Sequence, residues 1–97
     1  MDDTTALQFS IYPLTQPDYD TPIRAAIAAA DQAGAEVRVG RLSTFATGDE
    51  ETIFAALRAA FAAAKAHGPT VMIATVTSGS PSDETVAEIQ AGLADGD

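Results

Sequence analysis

The segment AEVRVGRLSTFAT, residues 35–47, decides the fold because it places two extended stretches back to back. Val37 and Val39 alternate with polar neighbours, as in a strand with one buried face. The stretch from Leu42 to Ala46 has an extended pattern again, and a glycine lies between the two. The pattern predicts a short hairpin that turns near Gly40-Arg41.

A helical pattern precedes this hairpin. The first helix is predicted from about Pro22 to Ala33, with Thr21 or Asp20 as its N-cap. Gly34 suits the left-handed conformation that closes a helix. The apolar positions that recur at helical spacing are Ile23, Ile27 and Ala30.

A second helical pattern follows the hairpin, from about Glu50 to Ala66. Thr47 and Glu50 fit a capping box, and His67-Gly68-Pro69 ends the helix. Its broad apolar face consists of Ile53, Phe54, Leu57, Ala60, Phe61 and Ala64. Because the helix as a whole is rich in alanine, we expect it to pack close to a sheet.

Strand patterns lie outside both helices, from Ala6 to Leu14 and from Thr70 to Thr77. The order strand, helix, strand, strand, helix, strand predicts an α+β, ferredoxin-like β-α-β-β-α-β fold, with a four-stranded antiparallel sheet and two helices on one face. The chain is expected to be a single domain, residues 1–97, with its core at about 6–78. The remainder, 79–97, is predicted to be a loop and a short helix at Asp83–Leu93.

Alternation along the strands assigns side chains to the two sheet faces. The face under the helices is expected to hold Leu7, Phe9, Ile11, Val37, Val39 and Phe45. The open face is expected to show Gln8, Ser10, Tyr12, Arg38 and Thr44. The last strand adds either Met72, Ala74 and Val76 or Val71, Ile73 and Thr75 to that face. Either set leaves apolar surface exposed, which predicts a homodimer or homotetramer.

Composition narrows the function. The 97 residues are 46% hydrophobic, include no cysteine, and carry a formal net charge of −9. The negative charge argues against nucleic acid and anionic membrane surfaces as partners. The acidic start does not resemble a signal peptide and no apolar run is long enough to insert into a membrane, so a cytoplasmic location is expected. The single histidine, His67, is a poor signal for a metal site, and no catalytic motif is present.

Three segments carry a resemblance to a known family: Gln8 to Leu14 with Asp18-Tyr19, Gly40 to Phe54, and Val71 to Thr77. Together they resemble the YkoF-like thiamine- and hydroxymethylpyrimidine-binding family, over about residues 6–81. The resemblance implies a ferredoxin-like fold, and a binding protein linked to thiamine or pyrimidine uptake or salvage, with a thiamine-precursor transporter as a functional partner. It implies no enzymatic activity and no cofactor. YkoF itself carries two such modules in one chain, so a single module is expected to form a homo-oligomer.

The expected ligand is thiamine or its hydroxymethylpyrimidine half. Hydroxyl and amide groups can form hydrogen bonds with an aminopyrimidine, and an aromatic ring can stack on it. The candidate ligand-binding residues are Gln8, Ser10, Tyr12 and Thr44, with Tyr19 and Asp49 as outer candidates from the motif.

Two alternatives remain at this point. The first is a structural or regulatory homo-oligomerisation module without a thiamine ligand. The second is a small dimeric enzyme on the same fold. An acylphosphatase-like enzyme would need an arginine-bearing loop after the first strand, and Thr15-Gln16-Pro17-Asp18 has none.

Overall fold

The computed structural model describes residues 4–15, 17–40 and 43–78, and its elements follow the predicted split β-α-β order. The elements are β1 (Thr5–Pro13), α1 (Asp20–Gln32), β2 (Glu36–Val39), β3 (Thr44–Gly48), α2 (Glu50–Lys65) and β4 (Thr70–Ser78). The ferredoxin-like α+β fold is confirmed. The short helix predicted at 83–93 lies outside the described residues.

The sheet is antiparallel throughout, in the order β2-β3-β1-β4. β1 is therefore a central strand, paired with β3 on one side and β4 on the other. Leu7 lies opposite Ala46 in β3 and opposite Val76 in β4. Because directly opposed residues share a sheet face, β1 sets which residues of its neighbours face the helices.

The core lies between the sheet and the two helices. Leu7 and Phe9 of β1 and Ile53 of α2 are its largest fully buried apolar side chains. Both helices contribute mainly alanines, which allow close helix–helix and helix–sheet approach because they add little side-chain volume. The fully buried helical alanines are Ala26, Ala30, Ala56, Ala60 and Ala64.

Two residues of β3 lie on the opposite faces from those predicted. Thr44, expected on the open face, is buried under the helices, and Phe45, expected under the helices, is about half exposed on the open face. Phe9 pairs with Thr44, and Gln8 pairs with Phe45. Val39 pairs with Thr44, and directly opposed residues share a sheet face, so an alternation continued along the chain through the turn assigned β3 to the wrong faces.

The last strand resolves the alternative left open by the sequence. Ile11 of β1 lies opposite Met72, so Met72, Ala74 and Val76 face the helix side. Val71, Ile73 and Thr75 therefore belong to the open face.

Helix α1 begins two residues earlier than predicted, and its N-cap is neither Thr21 nor Asp20. Tyr19 occupies the cap position without a side-chain bond. The Asp18 carboxylate instead accepts the backbone N–H of Asp20 at 3.0 Å and the Thr21 hydroxyl at 2.6 Å. These bonds stabilise the ionised form, and the hydrogen bonds from Thr21 are the main cause that lowers the pKa of Asp18.

Each helix is followed by a glycine with left-handed backbone, which the sequence predicts for Gly34. The φ angles are +103° at Gly34 and +138° at Gly68. An L-amino acid with a Cβ is strained there, so these positions favour glycine.

We expect Gly34→Ala to destabilise the protein by about 1–2 kcal/mol, because alanine disfavours the left-handed conformation. Thermal unfolding followed by circular dichroism measures the effect. Gly48→Ala is the matched control, since Gly48 does not have a positive φ and an added Cβ would make an ordinary 3.4 Å contact with Thr52. Equal losses in the two variants would contradict a conformational origin.

Candidate functional site

A cavity of about 210 Å³ opens where β1 runs past the end of β3. The last β1–β3 pair is Phe9 with Thr44, whereas β1 stays paired with β4 as far as Pro13. The start of α1 and the β2–β3 turn form the other walls. The cavity is lined by Phe9, Ser10, Ile11, Tyr12, Ile23, Ile27, Val39, Gly40, Ser43 and Thr44.

Thr44 is the buried polar group of this cavity. Its relative exposure is 6%, and no residue in the described part of the chain forms a hydrogen bond with its hydroxyl. Buried hydroxyls in folded proteins usually have a protein or water partner, because leaving one without a partner costs free energy. The hydroxyl of Thr44 is therefore available to a molecule in the cavity.

Ser10 and Tyr12 also reach the cavity, from β1. Alternation places both on the open face, but the cavity lies beyond the end of β3, so they line its rim. Tyr12 is about half exposed. Three of the sequence-predicted ligand-binding residues, Ser10, Tyr12 and Thr44, are thus brought to one cavity.

Gln8 contacts Ser43, one of the residues that line the cavity. Its Nε2 donates a hydrogen bond of 3.0 Å to the hydroxyl of Ser43, which lines the cavity. Gln8 itself is not a lining residue, so it is placed to orient Ser43. The sequence reasoning missed Ser43, although it lies within the motif that carried the family resemblance.

The β2–β3 turn is held by a backbone hydrogen bond from Gly40 N–H to the carbonyl oxygen of Ser43, 2.9 Å long. A Cβ on Gly40 would approach that same oxygen to 2.9 Å, closer than such atoms normally come. Glycine is therefore required to keep this tight turn and, with it, the position of Ser43.

The two outer candidates do not join the cavity. Tyr19 is two-thirds exposed at the start of α1 and is not among the lining residues. Asp49 follows Gly48, which pairs with Thr5 at the other end of β1. The role of either residue in ligand binding stays a prediction that this geometry does not favour.

Asp49 has a structural role as the N-cap of α2. Its carboxylate accepts the backbone N–H of Thr52 at 2.8 Å, and the cap is therefore not the predicted Thr47–Glu50 box. This hydrogen bond is the main cause that lowers the pKa of Asp49. The carboxylate also lies at the positive end of the helix dipole, where negative charge is favourable.

A shallower groove of about 320 Å³ continues from the cavity along the outer side of α1. The two share Ile27 and Val39. The other residues that line the groove are Arg24, Ala28, Asp31 and Val37. It lies between α1 and the edge strand β2.

The open sheet face carries a patch of exposed apolar side chains. Its large members are Tyr12, Phe45, Val71 and Ile73, and Ile73 is 59% exposed. Tyr12 lies opposite Val71, and Ile73 follows two residues later in β4, whereas Phe45 lies across Gln8 on the other side of β1.

Within residues 4–15, 17–40 and 43–78, no group of three or more histidine, aspartate or glutamate side chains could hold a metal ion. None of the helices in that same part of the chain has the length and apolar character needed to cross a membrane.

Fold and site together define a ferredoxin-like α+β protein with a small, uncharged cavity at one end of its sheet. Within this class, the sequence matches the family model for the YKOF-related family over residues 4–83. The chain belongs to that family, and the resemblance seen in its motifs is confirmed. No curated protein matches the chain.

Solved structures share the fold at low sequence identity. A hypothetical protein from Methanocaldococcus jannascii has a TM-score of 0.72 at 16% identity, covering 97% of this chain and 99% of its own. A domain of unknown function, DUF77, from Bacillus cereus has a TM-score of 0.74 at 20% identity, covering 89% of each chain. A Thermotoga maritima protein provisionally assigned to thiamine biosynthesis or salvage has a TM-score of 0.61 at 16% identity, covering 89% of this chain and 98% of its own. At these identities the likeness establishes the fold alone.

We expect Asp49→Ala to lower the thermal midpoint at pH 7, whereas Asp49→Asn keeps most of the stability because asparagine also caps well. The folded-state pKa of Asp49 is lowered, so its stabilisation is present above the unfolded-state pKa and is lost as pH falls through the folded one. The gap between wild type and Asp49→Ala should therefore narrow below about pH 4 in thermal melts. A gap that stays constant down to pH 2 would contradict this account.

Proposed function

We propose that this protein binds thiamine or its hydroxymethylpyrimidine half in the cavity at the end of β1, without catalysing a reaction. The observation that carries the proposal is the buried hydroxyl of Thr44, which lines a cavity and has no hydrogen-bond partner among the described residues. Membership of the YKOF-related family supports a thiamine-related role. The provisional thiamine assignment of the Thermotoga maritima relative supports the same ligand class.

The chemistry of the cavity suits an aminopyrimidine. The ring nitrogens accept hydrogen bonds and the exocyclic amine donates them, and serine and threonine hydroxyls do both. Thr44 and Ser43 offer such groups, while Ile23 and Ile27 form apolar walls. Tyr12 at the rim can stack on a flat heteroaromatic ring.

Binding without catalysis is supported by the cavity lining, which contains hydroxyl and apolar side chains and no charged group in the described residues. Acid–base or nucleophilic chemistry would need an activating base within hydrogen-bond reach. We propose that this binding serves the uptake or salvage of thiamine or its pyrimidine precursor. The protein would then work in the cytoplasm, together with a transporter for the precursor. The structural-module alternative would leave the cavity without a ligand.

Calorimetric titration with thiamine and with hydroxymethylpyrimidine tests the proposal, with Thr44→Val as the diagnostic variant. Loss of one hydrogen bond, about 0.5–1.5 kcal/mol, should weaken binding by roughly two- to ten-fold. The free protein should keep its stability or gain some, because valine removes a buried hydroxyl without a described partner.

Thr75→Val is the matched control, since Thr75 has the same chemistry on the open face and does not line the cavity. We expect it to bind as wild type does. If Thr75→Val weakens binding and Thr44→Val does not, the ligand lies on the open face. If wild type binds neither compound at millimolar concentration, the thiamine proposal is wrong.

We also propose that the protein is a homodimer or homotetramer that buries the open sheet face. The support is the group of exposed apolar side chains on that face, Tyr12, Phe45, Val71 and Ile73. Exposed patches of this kind commonly mark protein contacts.

Ile73→Lys should convert the oligomer to monomers, because it places a charge in the centre of the proposed contact. Size-exclusion chromatography with light scattering measures the mass. The control is Ala62→Lys, at an exposed position of α2 away from the sheet face. A monomeric wild-type protein, or an oligomer unaffected by Ile73→Lys, would overturn this arrangement.

A further inference from the structure

We propose that the groove between α1 and β2 is a second subsite that receives the cationic half of the ligand, with Asp31 as the residue that selects for positive charge. This inference rests on the proposed function of the cavity and makes it more specific. It predicts that the protein distinguishes thiamine, which carries a thiazolium cation, from the neutral hydroxymethylpyrimidine.

The first step of the argument is continuity. The cavity and the groove share Ile27 and Val39, so a molecule can occupy both across these two side chains. The groove is about 320 Å³, larger than the cavity. A ligand made of two linked rings would place one in the cavity and the other in the groove.

The second step is spacing along α1. Asp31 follows Ile27 by four residues, which is one helical turn or about 6 Å. Ile27 marks the boundary between cavity and groove, so the Asp31 carboxylate lies about one ring further along. The two rings of thiamine are joined by a single methylene carbon, which suits such a short span.

The third step is charge. Arg24 and Asp31 are the two charged residues that line the groove. Arg24 forms an ion pair with Asp20 at 2.6 Å, one turn towards the start of α1 and away from Asp31. No residue in the described segments forms an ion pair or side-chain hydrogen bond with the Asp31 carboxylate. The unopposed charge of the groove is therefore negative.

The experiment compares thiamine and hydroxymethylpyrimidine on wild type, Asp31→Asn and Asp31→Lys by calorimetry. An exposed ion pair has a modest energy, so Asp31→Asn should weaken thiamine binding about two- to five-fold. Asp31→Lys should weaken it further, and both effects should shrink as salt is raised. Hydroxymethylpyrimidine should bind all three proteins equally. Glu36→Gln, which removes an exposed carboxylate at the start of β2 outside the groove, should change neither affinity.

The outcomes separate this inference from the function on which it rests. If wild type binds neither compound, the proposed function fails. If it binds both and the Asp31 variants change both affinities alike or leave both unchanged, the function stands and the charge subsite is wrong.

Discussion

The pairing of Phe9 with Thr44 is the constraint on which the rest of the structure depends. It is the last pair between β1 and β3, so it fixes which side chains face the helices and where the sheet opens into a cavity. Phe9 is buried in the core at this point, and Thr44 beside it is also buried, so its hydroxyl group lies inside the protein. If the register of β3 against β1 shifted by one residue, every side chain of β3 would move to the other face of the sheet. Phe45 would then take the place of Thr44, and the cavity would lose its hydroxyl group.

The cavity exists because the strands end at different places. β3 begins at Thr44, whereas β1 continues to Pro13 with β4 beside it. A backbone hydrogen bond from the N–H of Leu14 to the carbonyl oxygen of Pro69 extends the pairing of β1 with β4. The site is thus built on the rigid sheet on one side and on the β2–β3 turn on the other, where Gln8 holds the Ser43 hydroxyl.

Periodicity predicted the element order because each strand and helix has its own apolar repeat and its own end signals, such as Gly34. It failed for Thr44 and Phe45 because alternation does not continue through a hairpin turn: Val39 pairs with Thr44, and paired residues share a sheet face. The pairing follows from backbone hydrogen bonds between the strands, which no alternation pattern reports. Thr44 became a ligand-binding candidate because alternation assigned it to the open face; it lies on the other face and still lines the cavity. Asp49 was a ligand-binding candidate because of the motif in which it lies, and in the structure its carboxylate caps helix α2.

The alanine packing between the helices has a consequence for how this scaffold can diversify. Ala26 and Ala60 have no exposed surface, so the interior offers little volume to exchange without loss of folding. The flank where α1 faces β2 is different, because Ile27 of α1 and Val39 of β2 are not fully buried. Substitutions on that flank can enlarge or narrow the cavity and the groove while the alanine-packed interior stays fixed. The shape of this surface can therefore change with little effect on the packing between the helices.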